Sequence, residues 1–172
     1  VAERAHPVRG RALTHRDRTG VGQYIDMALL DVSVAMLANM NMNYLTSGQV
    51  PKRWGNAHPN VIPYQVFACS DGHIIVAVGH DSQFRKFCEV LDSPELGVDP
   101  RFTTNSNRIR NRDTLIPLLE PLMQARSRDA WVDALEAASV PCGPINNIYQ
   151  VFQNPQVKAR GIKIEIPHEL AG

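Results

Sequence analysis

The sequence predicts an α/β fold in which a β-hairpin is accompanied by several helices. The hairpin is indicated by two strand-like runs, 63–68 and 73–78, of which the second is apolar and β-branched. Residues 70–72, Ser-Asp-Gly, lie between the two runs and are typical of a tight turn. Helices are indicated further along the chain, where apolar residues recur at intervals of three and four, as they do in segment 82–91.

The part of the chain before the hairpin is predicted to contain an irregular segment and one apolar helix. Residues 1–19 include five arginines and are expected to be basic and irregular. Asp26 is a candidate N-cap for a helix over 27–45, and Gly48 is a typical residue to end it. Apolar residues occur all round this helix, which predicts that it is buried on every side.

After the hairpin the sequence predicts a series of short helices and two extended segments. Ser82 is expected to cap the first of these helices, and Pro117 is expected in the first turn of another. Residues 162–166 alternate apolar and charged side chains, which is typical of a half-buried strand. The predicted helices are 82–91, 94–99, 105–112, 115–125, 128–138, 148–152 and 154–161, and residues 140–145 are expected to be extended.

Composition and charge exclude several classes of function. The chain has 18 basic and 17 acidic residues, a balance that argues against a nucleic-acid-binding protein. The longest apolar segment, 27–42, is interrupted by Asp31 and is too short to span a bilayer, so no membrane association is expected. Three widely spaced cysteines fit neither a disulfide scaffold nor a zinc site, so we expect reduced thiols, no metal and a cytoplasmic location.

Residues 53–67 form the most informative stretch, because glycine and proline fix its backbone while asparagine and histidine supply uncharged donors and acceptors. Such a loop suits a small anionic or acyl substrate. The candidate substrate-loop residues are Gly55, Asn56, His58 and Asn60, with Gln65 on the strand that follows. The alternative, on composition alone, is an ordinary connecting loop.

Several stretches in the same order resemble the class III coenzyme A transferases. They are 19–26 (TGVGQYID), 53–67, 71–72, 77–84, 99–102, 140–145 (VPCGPI) and 154–157. The resemblance implies subunits with a large and a small domain, and a homodimer in which the two subunits interlock. It implies that this chain is the small α/β domain together with a helix from the large domain. The expected divisions are 1–19 as an irregular remnant of the large domain, 20–54 as its helix and linker, 55–160 as the small domain, and 161–172 as the start of the return to the large domain.

The resemblance also implies a reaction. An aspartate of the enzyme attacks an acyl-CoA thioester and forms a mixed anhydride, then an aspartyl-CoA thioester, and a carboxylic acid finally collects the CoA. Coenzyme A is thus a substrate, and no covalently bound cofactor is expected. By resemblance the aspartate belongs before residue 1, so no catalytic residue is assigned within the chain, which is expected to be a fragment that is inactive alone.

The resemblance further implies that the loop containing His58 closes over the reacting thioester. The pattern is most similar to the succinate–glutarate branch, in which Arg53 could bind the second carboxylate of a dicarboxylic acid. The alternative for Arg53 is a structural role at the hinge between the domains. Asp81 stands where the racemase branch has an acidic residue, and the alternative is an ordinary carboxylate at a helix N-terminus. A second hypothesis, from a different class, is a stand-alone binding or interaction module.

Overall fold

The structure, a computed structural model, describes residues 2–165, with side chains described from residue 8 onward. The chain divides into two compact units, Val1–Arg53 and Trp54–Gly172, and each is described by itself. Within residues 2–165, the structure contains no helix that is both long enough and apolar enough to cross a membrane.

The first unit is helical from its start, which corrects the expectation that residues 1–19 are irregular. Helix α1 spans Ala2–Thr19, a segment rich in arginine and alanine, which have high helix propensity. Two threonine hydroxyls in this helix donate to carbonyls of the preceding turn. Thr14 Oγ1 donates to Gly10 O at 2.9 Å, and Thr19 Oγ1 donates to His15 O at 2.8 Å.

The single helix predicted over 27–45 is instead two helices, α2 (Leu29–Met36) and α3 (Asn39–Ser47). Ala38, at φ 45°, separates them, and Asp26 does not cap α2. Asparagine side chains compete for backbone groups here, since Asn41 Nδ2 donates to the carbonyl of Val34. The predicted burial is also wrong, because neither helix contains a buried residue. The predicted stop is confirmed by Gly48, which is left-handed at φ 70°.

The second unit is organised on a three-stranded antiparallel sheet in the order β1-β2-β3. The predicted hairpin is confirmed: the two strands pair with Phe67 opposite Ile74, and the Cys69 N–H donates to Gly72 O at 2.8 Å across the turn. The third strand lies in the segment that was expected to be extended. The strands are β1 (Tyr64–Ala68), β2 (His73–Ala77) and β3 (Cys142–Pro144).

Helices surround this sheet and are joined by short loops. They are α4 (Asp81–Val90), α5 (Pro94–Val98), α6 (Asn105–Arg110), α7 (Arg112–Met123), α8 (Arg128–Ala137), α9 (Ile148–Gln153) and α10 (Pro155–Ala159). One face of the sheet and the inner faces of α4, α7 and α8 form a continuous apolar core, whereas α9 and α10 contain no buried residue. Its largest fully buried hydrophobic side chains are Trp131, Phe67, Phe84, Phe87, Phe102, Ile62, Ile74, Leu115, Leu119, Met123 and Leu135.

Three local predictions in this unit are wrong. The N-cap of α4 is His80, whose Nδ1 accepts from the Gln83 N–H at 3.4 Å, while Ser82 lies inside the first turn. Helix α7 begins earlier than expected, so Pro117 lies in its interior. Residues 162–165 are not a strand, and Ile164 is 78% exposed because no neighbouring strand pairs with this segment in the described part of the chain. Residue 166, the end of the predicted strand, lies outside the described residues.

Candidate functional site

The loop between Trp54 and β1 is anchored by Arg112, the first residue of α7. Arg112 Nη2 donates to the carbonyl of His58 and, at 3.1 Å, to that of Pro59. Its guanidinium carbon lies 4.4 Å from the centroid of the Trp54 ring, which adds a cation–π contact. Burial lowers the pKa of Arg112, and the nearby Asp113 carboxylate partly opposes this effect. The loop therefore rests on a partly buried positive charge.

A second arginine, Arg108, anchors the end of the loop. Its side chain is fully buried and donates to Ile62 O at 2.6 Å, to Phe102 O at 2.9 Å and to Asp81 Oδ1 at 2.9 Å. The guanidinium carbon also lies 4.5 Å from the centre of the Phe84 ring. Burial lowers the pKa of Arg108, while the Asp81 carboxylate raises it. Each nitrogen of this buried guanidinium thus has an acceptor, and the group also contacts an aromatic ring.

Asn105 completes the set of anchors. Its Oδ1 accepts from the Ile62 N–H at 3.1 Å, and its Nδ2 donates to Asn60 O at 2.9 Å. Its own N–H donates to Asp81 Oδ1 at 2.9 Å. Between residues 58 and 62, most of the carbonyls are therefore held by side chains from α6 and α7. This polar backbone lies outside any regular element, and such contacts satisfy it.

His58 is the most informative side chain on the loop. Its Nδ1 accepts from the Asn60 N–H at 3.0 Å, so the proton of the neutral ring is assigned to Nε2. The ring stacks on Tyr64 with centroids 5.4 Å apart and planes 12° apart, and the His58 N–H donates to Tyr64 O at 2.8 Å. Nε2 has no hydrogen-bond partner among the described residues. The loop thus presents a fixed, half-buried donor that a ligand oxygen could accept from.

The other candidate residues on the loop and strand differ in their surroundings. Gly55 has a φ of 61°, in the left-handed region that favours glycine, and open space around its Cα. Asn56 Oδ1 accepts from the Val66 N–H at 3.0 Å, so this amide is used to hold the loop to β1. Gln65 lies on β1 opposite Val76 and is half-buried. The structure therefore leaves His58 as the polar side chain best placed to meet a ligand.

Two weaker candidates lie elsewhere. Arg53 is exposed and is the last residue of the first unit. Asp81 is the first residue of α4, and one of its oxygens accepts both from Arg108 and from the Asn105 N–H. This geometry favours the helix-terminus interpretation of Asp81 over a general acid or base, because the carboxylate is already engaged in holding the loop.

Sequence reasoning did not single out the anchors Asn105, Arg108 and Arg112. The segment was interpreted as polar and helical, but arginines four residues apart lie on one face of a helical path. That spacing was the signal available. Their partners lie 46 and 54 residues away along the chain, so the identity of the partners was not available from the local pattern.

Thiol and metal chemistry find no support in the described residues. Burial raises the pKa of the Cys142 thiol, and the nearby Glu136 carboxylate raises it further, so this cysteine is not an activated nucleophile. Among the side chains described, those of residues 8–165, no three of the metal-ligating types are grouped so that they could hold an ion.

This fold is shared with structures of CAIB/BAIF proteins. A CAIB/BAIF family protein from Brucella suis has a TM-score of 0.72 and 52% sequence identity, and the match covers 90% of this chain and 41% of that one. Residues 10–172 match CoA-transferase family III, and the chain belongs to this family.

Two curated relatives share a substrate pair in their names. Succinate–glutarate CoA-transferase from Agrobacterium fabrum is 45% identical over 158 residues, which are 92% of this chain and 40% of that protein. The human succinyl-CoA:glutarate CoA-transferase is 39% identical over 160 residues, which are 93% of this chain and 36% of that protein. The chain thus spans less than half the length of these relatives.

Proposed function

We propose that the protein transfers coenzyme A between an acyl-CoA thioester and a dicarboxylic acid, and that the loop around His58 borders the reacting acyl group. The observation that carries the proposal is the 45% identity to the succinate–glutarate enzyme over 92% of this chain. The anchored loop supports it, because a reacting carbonyl is best stabilised by a donor whose position is set before the substrate arrives.

We propose that the reaction proceeds through the carboxylate of an enzyme aspartate. This carboxylate attacks the thioester carbonyl, forming a mixed anhydride and releasing CoA thiolate. The thiolate attacks the aspartyl carbonyl, giving aspartyl-CoA and the free donor acid. The acceptor carboxylate then attacks aspartyl-CoA, which forms a new anhydride and releases the thiolate again. Attack of the thiolate on the acceptor acyl carbon yields the new acyl-CoA and restores the aspartate.

In each step a carbonyl oxygen gains negative charge as a nucleophile adds to it. We assign to His58 the role of donating its Nε2–H to that oxygen on the acyl group. The stacked Tyr64 ring and the Asn60 N–H keep the imidazole in one orientation and one tautomer. A neutral donor suits this role, because it stabilises the developing charge without forming a tight ion pair with the ground-state carboxylates.

The test is an exchange assay on the full product of the gene, with succinyl-CoA and glutarate as substrates and glutaryl-CoA measured by mass spectrometry. We expect His58→Ala to lower kcat about tenfold or more while the KM for the acyl-CoA changes little. His73→Ala is the matched control, since His73 is exposed on β2. Absence of CoA transfer to every dicarboxylate tried would refute the proposed reaction, and unchanged kcat in His58→Ala would refute the role of the loop.

A stand-alone binding module is the second candidate, because residues 54–172 have their own core and form one compact unit. Calorimetric titration of CoA into the expressed unit 54–172 separates the two candidates. Binding by this unit without any need for the rest of the protein favours the module. Binding only by the full gene product favours the transferase.

A further inference from the structure

We propose that Arg112 is a positioning residue that sets the location of His58, an inference that rests on the proposed CoA transfer. Arg112 is not expected to touch the substrate. It acts through the loop backbone, since its Nη2 is bonded to the carbonyl of His58 itself and to that of the following Pro59.

The imidazole of His58 moves with its own loop. Its side-chain partners are the Asn60 N–H, two residues on, and the ring of Tyr64, where β1 begins. Neither contact joins the imidazole to a helix. Arg112 supplies such a connection from α7 at the two peptide groups that follow the His58 Cα, while Asn105 on α6 holds the carbonyl of Asn60. A displacement of these peptide groups therefore displaces Nε2 as well.

The contacts of Arg112 point to one function. Its hydrogen bonds and its ring contact all go to residues between Trp54 and Pro59. Arg108, in contrast, is fully buried and joins α4, α6 and the segment before β1. We therefore expect loss of the Arg112 side chain to loosen the loop while the apolar core stays folded.

Lysine cannot replace this arginine fully. A guanidinium lies flat on an indole ring and donates in its own plane at the same time, whereas an ammonium is a compact point charge. Arg112→Lys can keep one carbonyl contact, but it loses the planar contact with Trp54. The lysine variant is expected to fall between the wild type and Arg112→Ala.

The kinetic test compares Arg112→Ala, Arg112→Lys and the control Arg110→Ala in the full gene product. Arg110 is exposed, lies two residues away and carries the same charge. We expect Arg112→Ala to lower kcat roughly tenfold to a hundredfold, as small misplacements of a reacting group do, with little change in the KM for the acyl-CoA. In a His58→Ala background the same change is expected to lower kcat no further. A full additional loss in that background would overturn the proposal.

A second measurement does not depend on activity. Nitrogen chemical shifts of the His58 ring report which nitrogen carries the proton and whether Nδ1 accepts a hydrogen bond. We expect one tautomer, with the proton on Nε2, in the wild type and in Arg110→Ala, and a mixture of tautomers in Arg112→Ala. Identical shifts in all three proteins would overturn the positioning role even if CoA transfer is confirmed. If no dicarboxylate supports transfer but the shifts change as expected, the proposed reaction fails while the anchoring of His58 stands.

Discussion

Arg108 is the residue on which the local structure around the loop depends most. It is fully buried, and its three hydrogen-bonding nitrogens contact two backbone carbonyls and one carboxylate. Removing it leaves the carbonyls of Ile62 and Phe102 without a donor in a region closed to water. Each buried carbonyl left without a donor lowers the free energy of unfolding, and the lost packing against Phe84 lowers it further.

We expect Arg108→Met to lower the free energy of unfolding by about 3 kcal/mol or more, from the two orphaned carbonyls and the broken ion pair. Asp81→Asn is expected to have a smaller effect, about 1 kcal/mol, because the Asp81 side chain is 43% exposed and the amide oxygen can still accept from Arg108. Urea unfolding followed by circular dichroism measures both. A larger effect for Asp81→Asn than for Arg108→Met would contradict this ranking.

The cysteines make stability sensitive to alkaline pH. Burial raises the pKa of Cys88 to about 12 from the ordinary value of 9.0, and burial also raises the pKa values of Cys69 and Cys142. Above pH 9 the unfolded chain loses thiol protons that the folded chain retains, so the unfolded state is favoured. The contribution is fully present below pH 9 and is lost as the pH rises from 9 towards 12.

We therefore expect the urea midpoint to fall between pH 8.5 and pH 10, with Cys88 alone contributing about 1 kcal/mol at pH 10. Cys88→Ala is the variant for comparison. It is expected to be less stable at pH 8.5 because of the cavity that it leaves, but its urea midpoint should fall less between pH 8.5 and pH 10. Parallel pH dependence in the two proteins would show that Cys88 does not carry the effect.

At the residue scale, the sequence predicted the loop but not its anchors. Gly55, Asn56, His58 and Pro59 were recognised because turn-forming and polar residues act locally on the backbone. The role of Arg108 depends on a carbonyl 46 residues earlier in the chain, and a local pattern carries no information about such a partner. Arginine is usually exposed, so its residue type predicted that Arg108 would lie at the surface rather than in the core.

At the scale of the element, two helices end in the same way without glycine. After α8, the Ser139 N–H donates to Glu136 O and the Val140 N–H donates to Leu135 O, both at 2.9 Å. Ser139 is left-handed at φ 58°, which completes a Schellman motif. Helix α4 ends in the same motif, with Asp92 at φ 56°.

Ser139→Gly is expected to stabilise the second unit by about 1 kcal/mol, because glycine adopts the left-handed conformation without the steric cost that a Cβ imposes. Ser139→Ala keeps the Cβ and serves as the control, with little or no gain expected. Thermal unfolding of the three proteins makes the comparison. A glycine variant no more stable than the alanine variant would contradict the argument.

At the scale of the element, the predictions were correct where residues adjacent in the sequence determine the structure. The hairpin was predicted correctly because Ser-Asp-Gly and two β-branched or aromatic runs are adjacent in the sequence. The helix predicted over 27–45, in contrast, is divided by Ala38 at positive φ, which no propensity favours. The alternation in 162–165 resembled a strand, but a strand also needs a neighbour to pair with.

At the scale of the whole molecule, the two units differ sharply in burial. The second unit contains the described core, whereas residues 8–53 include no buried side chain. Helices α2 and α3 instead expose large apolar side chains, among them Leu30 at 72% and Met36 at 71%. A surface of this kind is typical of a protein–protein or interdomain contact.

We expect the 172-residue chain to self-associate through α2 and α3, and the unit 54–172 expressed alone to be monomeric. Light scattering measures both. Leu30→Glu and Met36→Glu should each shift the full chain towards monomer, since a charge on this surface opposes its burial. Val98→Glu is the matched control, because Val98 is 68% exposed in the second unit. A monomeric wild-type chain, or equal effects from all three variants, would contradict this expectation.

Apart from the contact between Arg112 and the Trp54 ring, the anchors hold the loop through its main chain, and this has an evolutionary consequence. Asn105, Arg108 and Arg112 hold carbonyls at residues 58, 59, 60 and 62, and every amino acid offers the same carbonyl. Ala57, whose carbonyl and side chain are not used by these anchors, can therefore be exchanged for other residues while the path of the backbone is retained. If the protein carries out the proposed transfer, substitutions there are expected to change the preferred acid without first destabilising the protein, so a new substrate preference needs few mutations.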